Sequence, residues 1–158
     1  MRKTWPVGLG VFALDRASKL AAQSLLATLP EGSVALVPGV IHLTYAQNTG
    51  IAFSMLPLPP WMLALLTLLV LGLAALMIRR WAPRGAWSDA LLWALLAGGL
   101  GNCADRLLYG YVIDFIELRF VRFAIFNVAD IAITCSCAGL ALLMLLEGEG
   151  HAKDTREG

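Results

Sequence analysis

The chain has 158 residues, 59% of them apolar and only 15% charged, with a net charge of +1. A soluble domain averages roughly 45–50% apolar and about 25% charged, so one water-soluble core of this size could not hide the excess, and a single lipid-embedded domain is expected. Near-neutral charge, with no basic stripe interleaved with aromatics, sets nucleic acid aside as a partner.

The N-terminus, Met1-Arg2-Lys3 followed by an apolar run, imitates a secretory signal. Asp15, Arg16 and Lys19 interrupt that run and no small-x-small cleavage site follows, so residues 6–27 are read as a retained first span. A charge at mid-bilayer costs about 2.5–3.5 kcal/mol, and Asp15 and Lys19, at i,i+4, share a face on which they can pair. Next, Ile41-His42-Leu43-Thr44-Tyr45 alternates apolar and polar, the pattern of a short strand. Turn signals flank it: Pro38-Gly39 before, and Asn48-Thr49-Gly50 after, where Gly50 would permit close backbone approach.

Residues 60–79 form the second span, uncharged from Trp61 to Ile78. Ser88-Asp89 reads as an N-cap on the third span, residues 89–109, which stays apolar until Asp105 and Arg106. Phe115 to Phe123 suits an interfacial helix or an irregular strand, and the pattern does not choose. The fourth span, residues 127–146, holds Asp130 in its first turns and leaves a tail, 147–158, of mixed sign. The expected fold is therefore all-α and integral to the membrane, with four transmembrane helices, a small β-like element and an interfacial segment. Trp5, Trp61, Trp81 and Trp87 fall near span ends as interfacial anchors. Cys103, Cys135 and Cys137 lie in apolar stretches without a CxxC pair and read as small buried hydrophobes.

Basic residues set the orientation. Arg2, Lys3, Arg79, Arg80 and Arg84 flank one side and only Arg119 and Arg122 the other, which puts both termini in the cytoplasm. With that topology Asn48, Asn102, Asp105, Arg106, Asp114, Asn127 and Asp130 all fall in the outer half. Gly98, Gly101 or Asn102, and Asp105 make one stripe of the third helix; Asn127, Asp130 and Thr134 make one on the fourth. Ionisable groups avoid lipid, so these stripes should face each other inside the bundle.

Two carboxylates near one surface, Asp114 and Asp130, suit aspartic-protease chemistry: held close, the pair retains one proton, the ionised member activates water and the protonated one polarises a carbonyl. The plain alternative is a helix cap or a structural acceptor near a span end. Asp105 with Arg106 reads as a structural ion pair, and Asp15 with Lys19 as a brace. No serine has a histidine partner in reach, and HExxH and clustered cysteine or histidine ligands are absent, so neither a metal nor a cofactor is expected. A carrier would place its polar groups near the midplane in duplicated halves, and no repeat is visible. An assembly subunit would not need two aspartates converging on one surface.

Five blocks in order carry a family resemblance: Asp15-Arg-Ala-Ser-Lys19, Asn48-Thr-Gly-Ile-Ala-Phe53, Gly101-Asn-Cys-Ala-Asp-Arg106, Val112-Ile-Asp-Phe115 and Phe126-Asn-Val-Ala-Asp130. The chain resembles lipoprotein signal peptidase (signal peptidase II), the bacterial membrane aspartyl protease family, from Asp15 to about Leu146. The resemblance implies that Asp114 and Asp130 are the catalytic dyad. It implies that Asn48, Gly50, Asn102, Arg106 and Asn127 shape the site or hold substrate, with Asp15 and Lys19 supporting it. It also implies a monomeric inner-membrane endopeptidase whose substrate is a prolipoprotein carrying diacylglycerol on a cysteine, cut just before that cysteine. Cys103-Ala104 and Arg16 depart from the family's common pattern; Arg16 is expected to pair with Asp15 or reach a polar cavity.

Overall fold

The computed structural model describes the backbone of residues 3–50 and 58–157, with side chains as far as residue 147. Ile51 to Phe53 of the second sequence block, Met1 and Arg2 lie outside the described residues. In chain order the elements are α1 (Trp5–Leu26), β1 (Ser33–Val37), β2 (Ile41–Asn48), α2 (Pro60–Trp81), α3 (Ala86–Tyr109), β3 (Val112–Leu118) and α4 (Val128–Glu157).

Local chemistry explains the helix limits. Proline starts both α1 and α2, where its missing N–H costs nothing. Arg79 and Arg80 sit in the last turn of α2 and complement its negative end. Gly110 ends α3 in the left-handed region at φ 82°, its N–H bonded to the Arg106 carbonyl at 3.1 Å. The expected Ser88-Asp89 cap is not one: α3 begins earlier, after Gly85, and no side chain caps it. Beyond residue 146, in the segment read from sequence as a tail, α4 continues helically to Glu157.

Helix α3 is central and touches α1, α2 and α4. Small residues set the spacing. A Cβ on Gly98 would lie 2.7 Å from the Ala129 carbonyl oxygen of α4, and one on Gly101 would collide with the Asp15 carboxylate of α1. Two helices, α2 and the first 20 residues of α4, are long and apolar enough to cross a membrane, and only 17% of each apolar window is buried. A soluble core helix would bury most of it. In α1 the polarity is inverted: Asp15 and Lys19 are fully buried while Leu9, Leu14 and Leu25 are exposed. The four tryptophans named as anchors are all exposed. Cys103 is buried as expected, whereas Cys135 and Cys137 are exposed on α4.

The strands form one antiparallel sheet in the order β1-β2-β3. Its middle strand is the one the alternation marked. Strand β1 went unmarked, and of the ambiguous segment Phe115 to Phe123 only the first four residues join a strand, as the end of β3. Val112 to Phe115 are all buried, so this stretch lacks the period-2 contrast that identifies a half-exposed strand. Ala22 and Leu26 of α1 pack on Phe115, with Leu43, Tyr45, Ile116 and Val128 around them, which seats the sheet on one end of the bundle.

Candidate active site

Asp114 reaches the site from β3. In the ladder it faces Ala46, while Asn48 faces Val112. Asn48 and Asp114 are thus diagonal neighbours on one sheet face, and the Asn48 amide donates to Asp114 Oδ2 at 3.0 Å. Asp130 reaches it from the first turn of α4. Asn127 stands just before that helix, and the two form a reciprocal capping box. The Asp130 N–H donates to Asn127 Oδ1 at 3.0 Å, and the Asn127 N–H donates to Asp130 Oδ2 at 3.1 Å.

Asn127 also joins the two carboxylates. Its amide nitrogen donates to Asp114 Oδ1 at 2.6 Å and to Asn102 Oδ1 at 3.2 Å. The Asn102 amide in turn donates to Asp130 Oδ1 at 2.8 Å, and Lys19 Nζ donates to Asn102 Oδ1 at 2.7 Å. The lysine bond fixes which end of Asn102 accepts, so its nitrogen must face Asp130. Every oxygen of both carboxylates therefore accepts at least one bond from a placed donor.

Behind this layer lies a charge cluster. Lys19 Nζ is 3.0 Å from both Asp15 Oδ2 and Asp105 Oδ2. Asp15 Oδ1 accepts from the Ala129 N–H at 3.0 Å, and Asp105 Oδ2 from the Ile113 N–H at 3.2 Å. Those amides flank Asp130 and Asp114, so the cluster fixes the backbone beside each of the two carboxylates. Arg16 pairs with Asp105 Oδ1 and lies 5.9 Å from the centre of the Tyr109 ring. The expected Asp105–Arg106 ion pair is thus replaced by Arg16 and Lys19, because adjacent helical residues point in different directions. Arg106 instead donates to the Gly50 carbonyl at 3.2 Å and the Asn102 carbonyl at 3.5 Å, and its buried Nε has no partner among the described residues.

Asp114 and Asp130 both open onto a cavity of about 530 Å³. Asn48, Gly50, Asn102, Arg106, Asp114 and Asp130 supply its polar wall; Asn127, Asp15 and Lys19 stand behind that wall. The remaining wall is mostly apolar, from Val112, Phe123 to Phe126, Ile131 and Cys135. Sequence reading did not assign these to the site, although Val112 and Phe126 fall in the fourth and fifth blocks and Phe123 to Phe126 stand directly ahead of Asn127. Asp114 is 2% exposed, and burial, with the nearby Asp130 charge, pushes its carboxyl up to about 6 against the opposing bonds from Asn48 and Asn127.

Known proteins share both fold and sequence with this chain. A lipoprotein signal peptidase of Syntrophomonas wolfei is 43% identical over 151 residues, 95% of this chain and 97% of that one. The lipoprotein signal peptidase of Streptococcus pyogenes serotype M1 is 42% identical over 134 residues, 84% of each. A bacterial membrane enzyme solved in meso at 2.3 Å superposes with a TM-score of 0.78 and 22% identity, over 95% of this chain and 92% of that one. A second, at 1.9 Å, gives 0.76 and 24% over 92% and 94%. The family model for signal peptidase (SPase) II matches residues 7–146, and the chain belongs to that family.

Proposed function

We propose that the chain is an aspartic endopeptidase of the inner membrane that removes the signal peptide from diacylglyceryl-modified prolipoproteins, cutting before the lipidated cysteine. The observation that carries this reading is Asn127 bonded to both members of the pair Asp114 and Asp130 at the wall of a largely apolar cavity. In this reading Asp114, buried and raised, holds the shared proton, and Asp130 takes a proton from water. The water oxygen adds to the scissile carbonyl carbon while Asp114 protonates the carbonyl oxygen. Asp130 then gives the proton it took from water to the amide nitrogen, the C–N bond breaks, and the collapsing gem-diol returns a hydroxyl proton to Asp114. Inner lone pairs of both carboxylates are occupied by amide donors, which leaves the cavity-facing ones for substrate and water.

All four helices cross the bilayer in this proposal. At about 1.5 Å per residue the 22 residues of α1 and the 24 of α3 span about 33 and 36 Å, enough for a core of roughly 30 Å. Asp15, Lys19 and Asp105 face inward, while Leu9, Leu14, Leu25, Leu100, Leu107 and Leu108 face outward. Both termini are cytoplasmic, the site lies near the outer face, and the enzyme acts as a monomer. An apolar cavity wall suits a substrate that arrives as a membrane helix with acyl chains.

The deciding experiment is cleavage of a purified prolipoprotein with and without its diacylglyceryl group. The modified form should be cut and the bare form spared, and Asp114→Asn and Asp130→Asn should each lower turnover at least about 10³-fold while the protein stays folded. Near wild-type turnover by either variant would sink the dyad assignment.

A further inference from the structure

A second cavity, of about 370 Å³, lies at the opposite end of the bundle from the sheet, where α2 hands over to α3. Its wall includes Arg79 and Arg84, Gly85, Ser88 and Asp89. Neither arginine has an ion-pair partner among the described residues. The first N–H groups of α3 lack a side-chain cap, and a helix N-terminus favours an anion. Ser88 is 7% exposed and lines this cavity, yet its hydroxyl has no hydrogen-bond partner among the described residues. That hydroxyl is open to the cavity, where a ligand or water can meet it. Asp89 opposes an anion, but the two arginines leave the wall net positive.

We propose that this corner binds a phosphate-bearing anion, with Arg84 and Arg79 meeting its charge and Ser88 and the α3 N–H groups its oxygens. Arg79 serves the α2 C-terminus as well, so Arg84, beyond that helix, is the more specific contact. The site deepens the membrane reading above, since a phospholipid headgroup is the anion held at such a depth between two spans.

The test uses the full chain in neutral detergent, with binding followed by native mass spectrometry. Dioleoyl phosphatidylglycerol should bind and dioleoylglycerol, which lacks the phosphate, should not. Arg84→Gln and Ser88→Ala should each weaken binding about five-fold. Asp89→Asn should tighten it, a direction that misfolding does not mimic. Protection from the label-free lipid by inorganic phosphate alone would identify a free anion, and failure of phosphate to compete a headgroup; either outcome supports the site. Equal binding of the two lipids, or unchanged phosphatidylglycerol binding in Arg84→Gln and Asp89→Asn, would overturn it. Alkaline carbonate extraction reports separately on the membrane reading: the wild-type chain and Arg84→Gln should both stay in the pellet.

Discussion

Asn127 and Asp130 hold one another at both ends, side chain to backbone in each direction, at 3.0 and 3.1 Å. The same asparagine donates to Asp114. A helix cap and a bridge between two carboxylates are therefore one residue, and the two roles can be separated. Asn127→Ser keeps a capping oxygen and loses the bridging amide. It should leave the melting temperature within about 2 °C, since good caps differ little, and lower kcat about 10²-fold. Asn127→Ala should lose both, with about 1 kcal/mol of stability gone as well. A Ser variant as active as wild type would show that the bridge is dispensable.

The raised carboxyl of Asp114 sets a pH limit. Its proton is held below about 6 and lost above, so kcat/KM should fall on the alkaline side through that range. The Asn48 bond opposes the rise by favouring the ionised form. Asn48→Ala should therefore move the alkaline limb upward, and pH–rate profiles of the two proteins check the sign. A downward move would contradict the assigned geometry.

Asp105 and Arg16 are paired but unequal. Asp105 is fully buried and also serves Lys19 and the Ile113 N–H, whereas the Arg16 side chain is 17% exposed. Asp105→Ala leaves Arg16 without its carboxylate and Lys19 with Asp15 alone, and should cost about 3–5 kcal/mol. Arg16→Gln should cost clearly less, because water reaches that end of the pair. Denaturant unfolding in detergent ranks them; an equal loss would place the weight of the cluster on Arg16.

Helix spacing offers a test away from the chemistry. Gly98→Ala would push on the Ala129 backbone, one residue before Asp130. It should cost about 1–3 kcal/mol and reduce kcat by displacing the carboxylate. Gly10→Ala meets nothing within 4 Å on α1 and should be neutral or stabilise by up to about 1 kcal/mol. Thermal melts and turnover of the two variants distinguish crowding from general sensitivity to alanine.

Much of this was legible in the residues. The i,i+4 spacing of Asp15 and Lys19 foretold their pairing, and the polar stripes of α3 and α4 do converge. The ordered blocks located Asp114 and Asp130 in the chain, and the fold brings them to one cavity. What stayed hidden depends on non-local packing. The partner of Asp105 lies on another helix, so its adjacency to Arg106 misled. Strand β3 is buried along Val112 to Phe115, which erases the alternation that exposes β2. The aromatic wall from Phe123 to Phe126 acquires its role only because it leads into the α4 cap.

The inward charges of α1 bear on how the protein is made. Arg16 meets its carboxylate 89 residues later in the chain, on α3. In the four-span arrangement proposed above, the first helix carries an arginine whose counterion has not entered the membrane until α3 arrives. Its lateral release into lipid should thus wait on synthesis of the third, which makes insertion of this bundle a concerted event across most of its length.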